Sequence, residues 1–169
     1  TNVVQGSFFA MTEEHWDSAF DNKLRGTVRC IRLAVPHMRE RKWGRIVNIS
    51  GGAAWTPQLG AITTGINNAA VQNLTVALAN ELGKDGILVN AIVPTAVRTE
   101  RHDQNILDAM AKTGQSEAEV LKPRVAKIPL GRMGTPQEIA AVAAFLSSDR
   151  ASFVNGSAWA VDGGVSARL

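Results

Sequence analysis

The sequence predicts a single α/β domain on a parallel sheet, spanning residues 1–169. Three observations predict it. Two short β-branched runs, GRIVNIS (44–50) and ILVNAIV (87–93), flank one long apolar-periodic stretch. Strand, helix and strand joined by short connections require parallel pairing. The composition, 45% hydrophobic and 20% charged in 169 residues, supports one ordinary core.

The elements follow in order. The opening TNVVQG reads as the end of a strand entering a loop, and it begins with Thr1 rather than Met, so a chain whose beginning lies elsewhere is expected. Thr12 is an N-cap for a helix over 12–42, in which Trp16, Phe20, Leu24, Val28, Ile31 and Val35 keep helical spacing. Acidic residues open that helix and basic residues close it, complementing its dipole. GRIVNIS, bounded by Gly44 and Gly51, reads as a buried strand. A helix over about 58–83 follows, then ILVNAIV as a second buried strand. From Pro94 to Ile128 the pattern loosens, so residues 95–128 are expected to form a mobile substrate flap, with Ser116 and Glu119 as the capping box of a short helix. Thr135, Pro136 and Glu138 spell N-cap, N1 proline and capping box for another helix. SAWAV is a last strand, closed by the Asp162-Gly163-Gly164 turn.

Several function classes are disfavoured. No apolar run approaches the ~20 residues of a membrane span, and no signal-peptide layout opens the chain, so a cytoplasmic protein is expected. The net charge of +3 is mild. Arg25, Arg29 and Arg32 share a helix face without interleaved aromatics, which reads as a solvated face with local ion pairs rather than a nucleic-acid surface. Cys30, the lone cysteine, is expected to be a buried thiol. His15, His37 and His102 are too scattered for a metal set or a triad, so no metal site is expected. Met110 and Met133 read as packing residues.

GRIVNIS, ILVNAIVP, the helix around Ala69 to Leu82 and the block GRMGTPQEIAAVAAFLSSDRASFVNGSAWAVDGG closely resemble the short-chain dehydrogenase/reductase family over nearly the whole chain. The resemblance implies a Rossmann-like doubly wound parallel sheet in three αβα layers. It also implies NAD or NADP as cofactor and hydride transfer to or from a carbonyl or alcohol. Homodimers or homotetramers through helices 12–42 and 58–83 are implied as well. The family's glycine-rich phosphate loop and the acidic or basic residue that selects the cofactor have no counterpart here. Residues 1–6 match the family's fourth strand with only Asn2 recognisable, so the first strands of the dinucleotide half are expected to be lacking. Positions matching cofactor contacts reduce to Asn2, Pro94, Thr95 and Val97, and tight cofactor binding by this chain is not expected. Thr95 stands where the family often has Gly, and its side chain would crowd a nicotinamide.

The family's proton relay uses a Tyr and a Lys four residues later on one helix face, a Ser thirteen residues before the Tyr, and an Asn on the preceding long helix. Those positions fall on Thr64, Asn68, Gly51 and Lys23, and all four differ. An aliphatic alcohol cannot replace a phenol whose pKa starts near ~10, and the sequence contains no Tyr at all. Ser50 adjoins Gly51, but alternation along a strand points it away from the pocket. Family Asn has become Lys23 while family Lys has become Asn68. Two arrangements follow. In the plainer one, Lys23 snorkels to solvent and Asn68 bonds a helix carbonyl. In the other, Lys23 enters the space left by the family's Lys and forms a compensated pair with Asn68.

The functional expectation is a catalytically degenerate relative of the family. Its rivals are an NAD(P)-dependent carbonyl or alcohol oxidoreductase, 3-oxoacyl reductase-like, whose N-terminal cofactor half lies outside this chain, and a cofactor-free hydrolase or lyase reusing the pocket. No activated nucleophile supports the last, and no motif in the flap reads out a substrate.

Overall fold

A computed structural model describes residues 6–166. Its elements in chain order are α1 (Glu13–Phe20), α2 (Gly26–Arg41), β1 (Gly44–Ile49), α3 (Ile62–Leu82), β2 (Ile87–Pro94), α4 (Glu100–Thr113), α5 (Glu117–Val125), α6 (Pro136–Leu146) and β3 (Ala158–Val161). The strands form one parallel sheet in the order β1-β2-β3, with Ile46 opposite Val89 and Ile92 opposite Trp159.

β2 is the axis of the core. Ile87, Val89, Ala91, Ile92 and Val93 are all 0% exposed, which explains why its sequence shows no polar alternation: both faces are covered. Residues of opposite parity serve opposite faces. Ile87 and Val89 pack with Ile31, Val35, Ile46, Ala79 and Leu82 under α2 and α3, whereas Ile92 packs with Leu146 and Ala151 under α6. The result is a three-layer, Rossmann-like arrangement. Buried amides fix its joints. Asn90 donates to the Val154 carbonyl at 2.8 Å and accepts from the Ser157 amide at 3.0 Å, while Asn48 donates to Thr75 Oγ1 at 2.9 Å. Gly86 must be glycine, because its φ is +76° and a Cβ there would collide with the Lys42 carbonyl.

The structure corrects five sequence expectations. The helix over 12–42 is interrupted by a π-turn at Asp21–Arg25, and of its apolar residues only Ile31 and Val35 are buried. The extra residue in that turn rotates α2 relative to α1, so no single apolar stripe runs the whole length. The next helix starts at Ile62, not 58, because Gly60 with φ +77° belongs to the preceding turn. β1 is less buried than a strand paired on both edges: β2 is its one partner among the described residues, and Ile49 is half-exposed. The segment 95–128, expected as a loose flap, is largely α4 and α5. These two helices bury only Ile106 between them, and both are mostly polar in sequence. Cys30 is exposed, since Ile31 takes the core-facing position and Cys30 lies about 100° round the helix. Asn2 lies outside the described residues.

The caps are as expected. Thr12, Ser116 and Thr135 each accept from the backbone of the N3 residue, and His15, Glu119 and Glu138 reciprocate. Glu138 also receives a bidentate Arg132 at 2.7 and 3.0 Å. That guanidinium, followed by the Thr135 amide, pulls the Glu138 carboxyl down to about 2 from 4.5. A lowered folded-state pKa adds stability above the unfolded value and loses it as pH falls through the folded value. The expected result is a melting temperature that declines between pH 4.5 and about 2, with a shallower decline in Glu138→Gln; thermal melts across that range check it. The pair is exposed, so the difference between the two profiles is expected to be small.

Candidate active site

The C-terminal end of β1, the first turns of α3 and the π-turn converge on the four positions of interest. The π-turn carries Lys23 inward. Thr27 Oγ1 holds the Lys23 carbonyl at 2.8 Å, and the Lys23 ammonium donates to Asn68 Oδ1. The plainer expectation, that Lys23 snorkels and Asn68 bonds its own helix, is therefore corrected: the two side chains bond each other. Burial is the cause that lowers the Lys23 pKa from the ordinary lysine value, and among the described residues no carboxylate pairs with it.

Asn68 is 3% exposed, and its amide nitrogen faces Gly51. A Cβ at Gly51 would lie 2.8 Å from Asn68 Nδ2, closer than real contacts allow. The backbone of Gly51 is extended, φ 174° and ψ 156°, a conformation open to any residue. Only Asn68 excludes a side chain there. Lys23, Asn68 and Gly51 thus form one packed unit in which each residue accommodates the next.

Thr64 lies one turn before Asn68 on the same face of α3. Its hydroxyl is buried without a hydrogen-bond partner, as is Asn67 Oδ1, whose amide nitrogen donates to the Thr63 carbonyl at 2.9 Å. Ser50 does not stand in for the lost serine. Its hydroxyl donates to the Asn68 carbonyl at 3.0 Å and accepts from Gln72 at 2.9 Å, and Gln72 in turn accepts from Trp55 Nε1 at 2.7 Å. Asn67 and the Ser50–Gln72–Trp55 chain were not anticipated, although two adjacent amides inside an apolar helix are a signal of internal polar pairing.

A groove of about 650 Å³ runs from this point along the edge of β1 that has no partner strand among the described residues, lined among others by Lys23, Cys30, Asn48, Thr64 and Asn67. On the other side, Pro94 closes β2 and Thr95 Oγ1 is buried and unpartnered against Gly52. Val97 bridges to Gly134, and Ala96 between them takes a left-handed φ of +52°, costing about 1–2 kcal/mol for a residue with a Cβ. Pro94, Thr95 and Val97 thus shape one loop and carry no charge toward a phosphate.

These residues do not fit a nicotinamide nucleotide held in the family's way. The amide at 68 is engaged by Lys23 and packed on Gly51, and Thr95 fills the space beside Gly52. What the arrangement offers chemically is one part-buried amine, an unpartnered hydroxyl and an unpartnered amide oxygen in a shared groove.

The fold and the spacing of these positions define a class. The family model described as enoyl-(acyl carrier protein) reductase matches residues 1–166. The chain is 37% identical over 172 residues to a probable 2,4-dienoyl-CoA reductase of Bacillus subtilis, covering 96% of this chain and 63% of that protein. It is 32% identical to the 3-oxoacyl-[acyl-carrier-protein] reductase FabG of Aquifex aeolicus, covering 94% and 59%. The crystal structure of YwfH, an NADPH-dependent reductase involved in bacilysin biosynthesis, superposes with a TM-score of 0.91 at 28% identity, over 100% of this chain and 65% of that one. The chain belongs to the short-chain dehydrogenase/reductase family, and it spans about three fifths of the length of these relatives.

Proposed function

We propose that this chain is a short-chain dehydrogenase/reductase scaffold that does not run the family's proton-transfer chemistry. The observation that carries the reading is the Asn68 amide, packed against Gly51 and bonded by Lys23, three positions that family spacing matches to the lysine, serine and asparagine of the relay. A sequence without tyrosine supports it, because no neighbouring turn can supply a phenol. NADPH oxidation with a panel of ketones and 3-oxoacyl thioesters tests the reading: no turnover above the uncatalysed rate is expected.

A second reading is an NAD(P)-dependent carbonyl reductase acting on acyl thioesters, completed by a cofactor-binding half outside this chain. It draws support from the span of about three fifths and from the acyl substrates in the relatives' names. Arg25 and Arg29 pair with Asp17 and Asp21, which supports a solvated face rather than a nucleic-acid surface. Among the described residues no helix is long and apolar enough to cross a membrane, and no group of three or more potential metal ligands occurs.

Self-association belongs to the same proposal. Phe9, Leu59 and Ile66 are exposed around an apolar hollow of about 970 Å³ between the segment before α1 and the first half of α3, and Val76 is exposed further along that helix. Apolar surface of this kind marks a site that another surface covers. Sedimentation velocity at tens of micromolar is expected to show a dimer or tetramer, and Leu59→Asp with Ile66→Asp to show a monomer. A monomer in the unsubstituted chain contradicts the assignment.

A further inference from the structure

We propose that Lys23 is a carbonyl-capturing amine, which condenses with a small aldehyde or ketone entering the groove to form an imine. The placement of the nitrogen carries this. The π-turn delivers the side chain into a groove of about 650 Å³, ample for a small carbonyl compound. Its hydrogen-bond partner is a neutral amide, Asn68 Oδ1, and not a carboxylate. The nearby Asp17 and Asp21 are taken by Arg25 and Arg29. A lysine facing a carboxylate is fixed as the ammonium, which has no lone pair to attack with; a part-buried lysine facing an amide is held in the neutral form at much lower cost. Burial lowering the Lys23 pKa acts in the same direction.

The groove also holds groups suited to the intermediate. Thr64 and Asn67 line it, and each carries a buried oxygen with no partner, Thr64 Oγ1 and Asn67 Oδ1, which gains a hydrogen bond when its side chain turns toward a ligand. A carbinolamine presents one hydroxyl and one N–H, which match an alcohol and an amide oxygen. In the step itself the lysine nitrogen attacks the carbonyl carbon. Its two protons leave with the former carbonyl oxygen as water, and a C=N bond replaces C=O. No oxidant, reductant or nicotinamide takes part, so the inference does not depend on whether the chain binds a dinucleotide.

The five other lysines, Lys42, Lys84, Lys112, Lys122 and Lys127, are exposed and serve as internal controls. The chain is incubated at neutral pH with millimolar propanal or acetone and sodium cyanoborohydride, which reduces any imine to a stable amine, and adducts are located by peptide mass spectrometry. The Lys23 adduct is expected to form severalfold faster than the mean of the five controls. Lys23→Met is expected to abolish the fast phase of labelling in the intact protein. Asn68→Asp keeps the lysine and gives it a carboxylate partner, and its Lys23 labelling is expected to fall to the control level. Circular dichroism confirms that each variant is folded, and the Asn68→Asp result decides the matter if Lys23→Met is not. Labelling of Lys23 no faster than the controls overturns the proposal, as does unchanged labelling in folded Asn68→Asp.

Discussion

The chain carrying Gly51→Ser, Thr64→Tyr, Asn68→Lys and Lys23→Asn together is expected to oxidise no NADPH, whereas the same four substitutions in a fusion to the N-terminal half of a longer relative are expected to give turnover. The reason is the order of the contributions. Holding the hydride donor against the carbonyl supplies an effective molarity of about 10⁵ M or more, and that depends on backbone amides around the pyrophosphate. Acid catalysis by the tyrosine adds only about 10²–10⁴-fold on top of it. Restoring the second term without the first leaves nothing to accelerate. The assay is NADPH absorbance with ketones and 3-oxoacyl thioesters. Turnover by the unfused, restored chain would show that these 169 residues position a nicotinamide, against the fit deduced from Thr95 and the need for backbone amides around the pyrophosphate.

The second large effect is on stability. Gly51→Ser alone is expected to destabilise the chain by about 1–3 kcal/mol, the cost of overpacking a filled site. For a domain of this size that lowers the melting temperature by roughly 2–4 °C per kcal/mol. The backbone at Gly51 does not oppose serine, because its φ of 174° is ordinary extended chain; the cost arises from Asn68 Nδ2, 2.8 Å from the new Cβ. Asn68→Ala removes that obstacle but leaves the Lys23 nitrogen without its partner, which is expected to cost about 1–3 kcal/mol by itself. In Gly51→Ser with Asn68→Ala the serine enters the vacated volume. The double variant is therefore expected to be more stable than the sum of the singles predicts, by about 0.5–3 kcal/mol, as contacting residues show in such cycles. Strict additivity in denaturant melts would mean that the three residues do not form one unit.

What was legible in the sequence follows from what short-range chemistry encodes. Thr12, Ser116 and Thr135 were readable as caps because a cap and its reciprocal partner lie three residues apart. β2 was readable because a strand covered on both faces has no polar alternation. Thr64, Asn68 and Gly51 were identifiable because family spacing fixes them within one segment. The Lys23–Asn68 bond is one of the two arrangements the sequence offers but is not decided by it, since its partners are 45 residues apart and meet only because the π-turn points Lys23 inward. A single extra residue in a helical turn leaves no compositional mark. α4 was missed for a different reason. Its apolar face is carried by few residues, Ile106, Ala109 and Met110, among mostly charged and polar neighbours, and its boundaries rest on the Thr99 cap and on Gly114 at φ +70°, which read as loop residues beside so polar a segment. Cys30 is misread for a nearer reason: it adjoins Ile31 but lies about 100° from it round the helix, off the face that Ile31 and Val35 share.

The most direct test of catalytic degeneracy separates it from the length of the chain. The unsubstituted sequence is fused to the N-terminal half of a longer relative, so that the cofactor half is present while Lys23, Gly51, Thr64 and Asn68 are retained. Its kcat/KM is compared with that of the fused and restored form. A value lower by about 10²–10⁴-fold, with NADPH bound comparably by both fusions, is the predicted result. Rates within tenfold of each other would mean that Lys23, or another group in this chain, transfers the proton, and the reading of these four positions would be wrong.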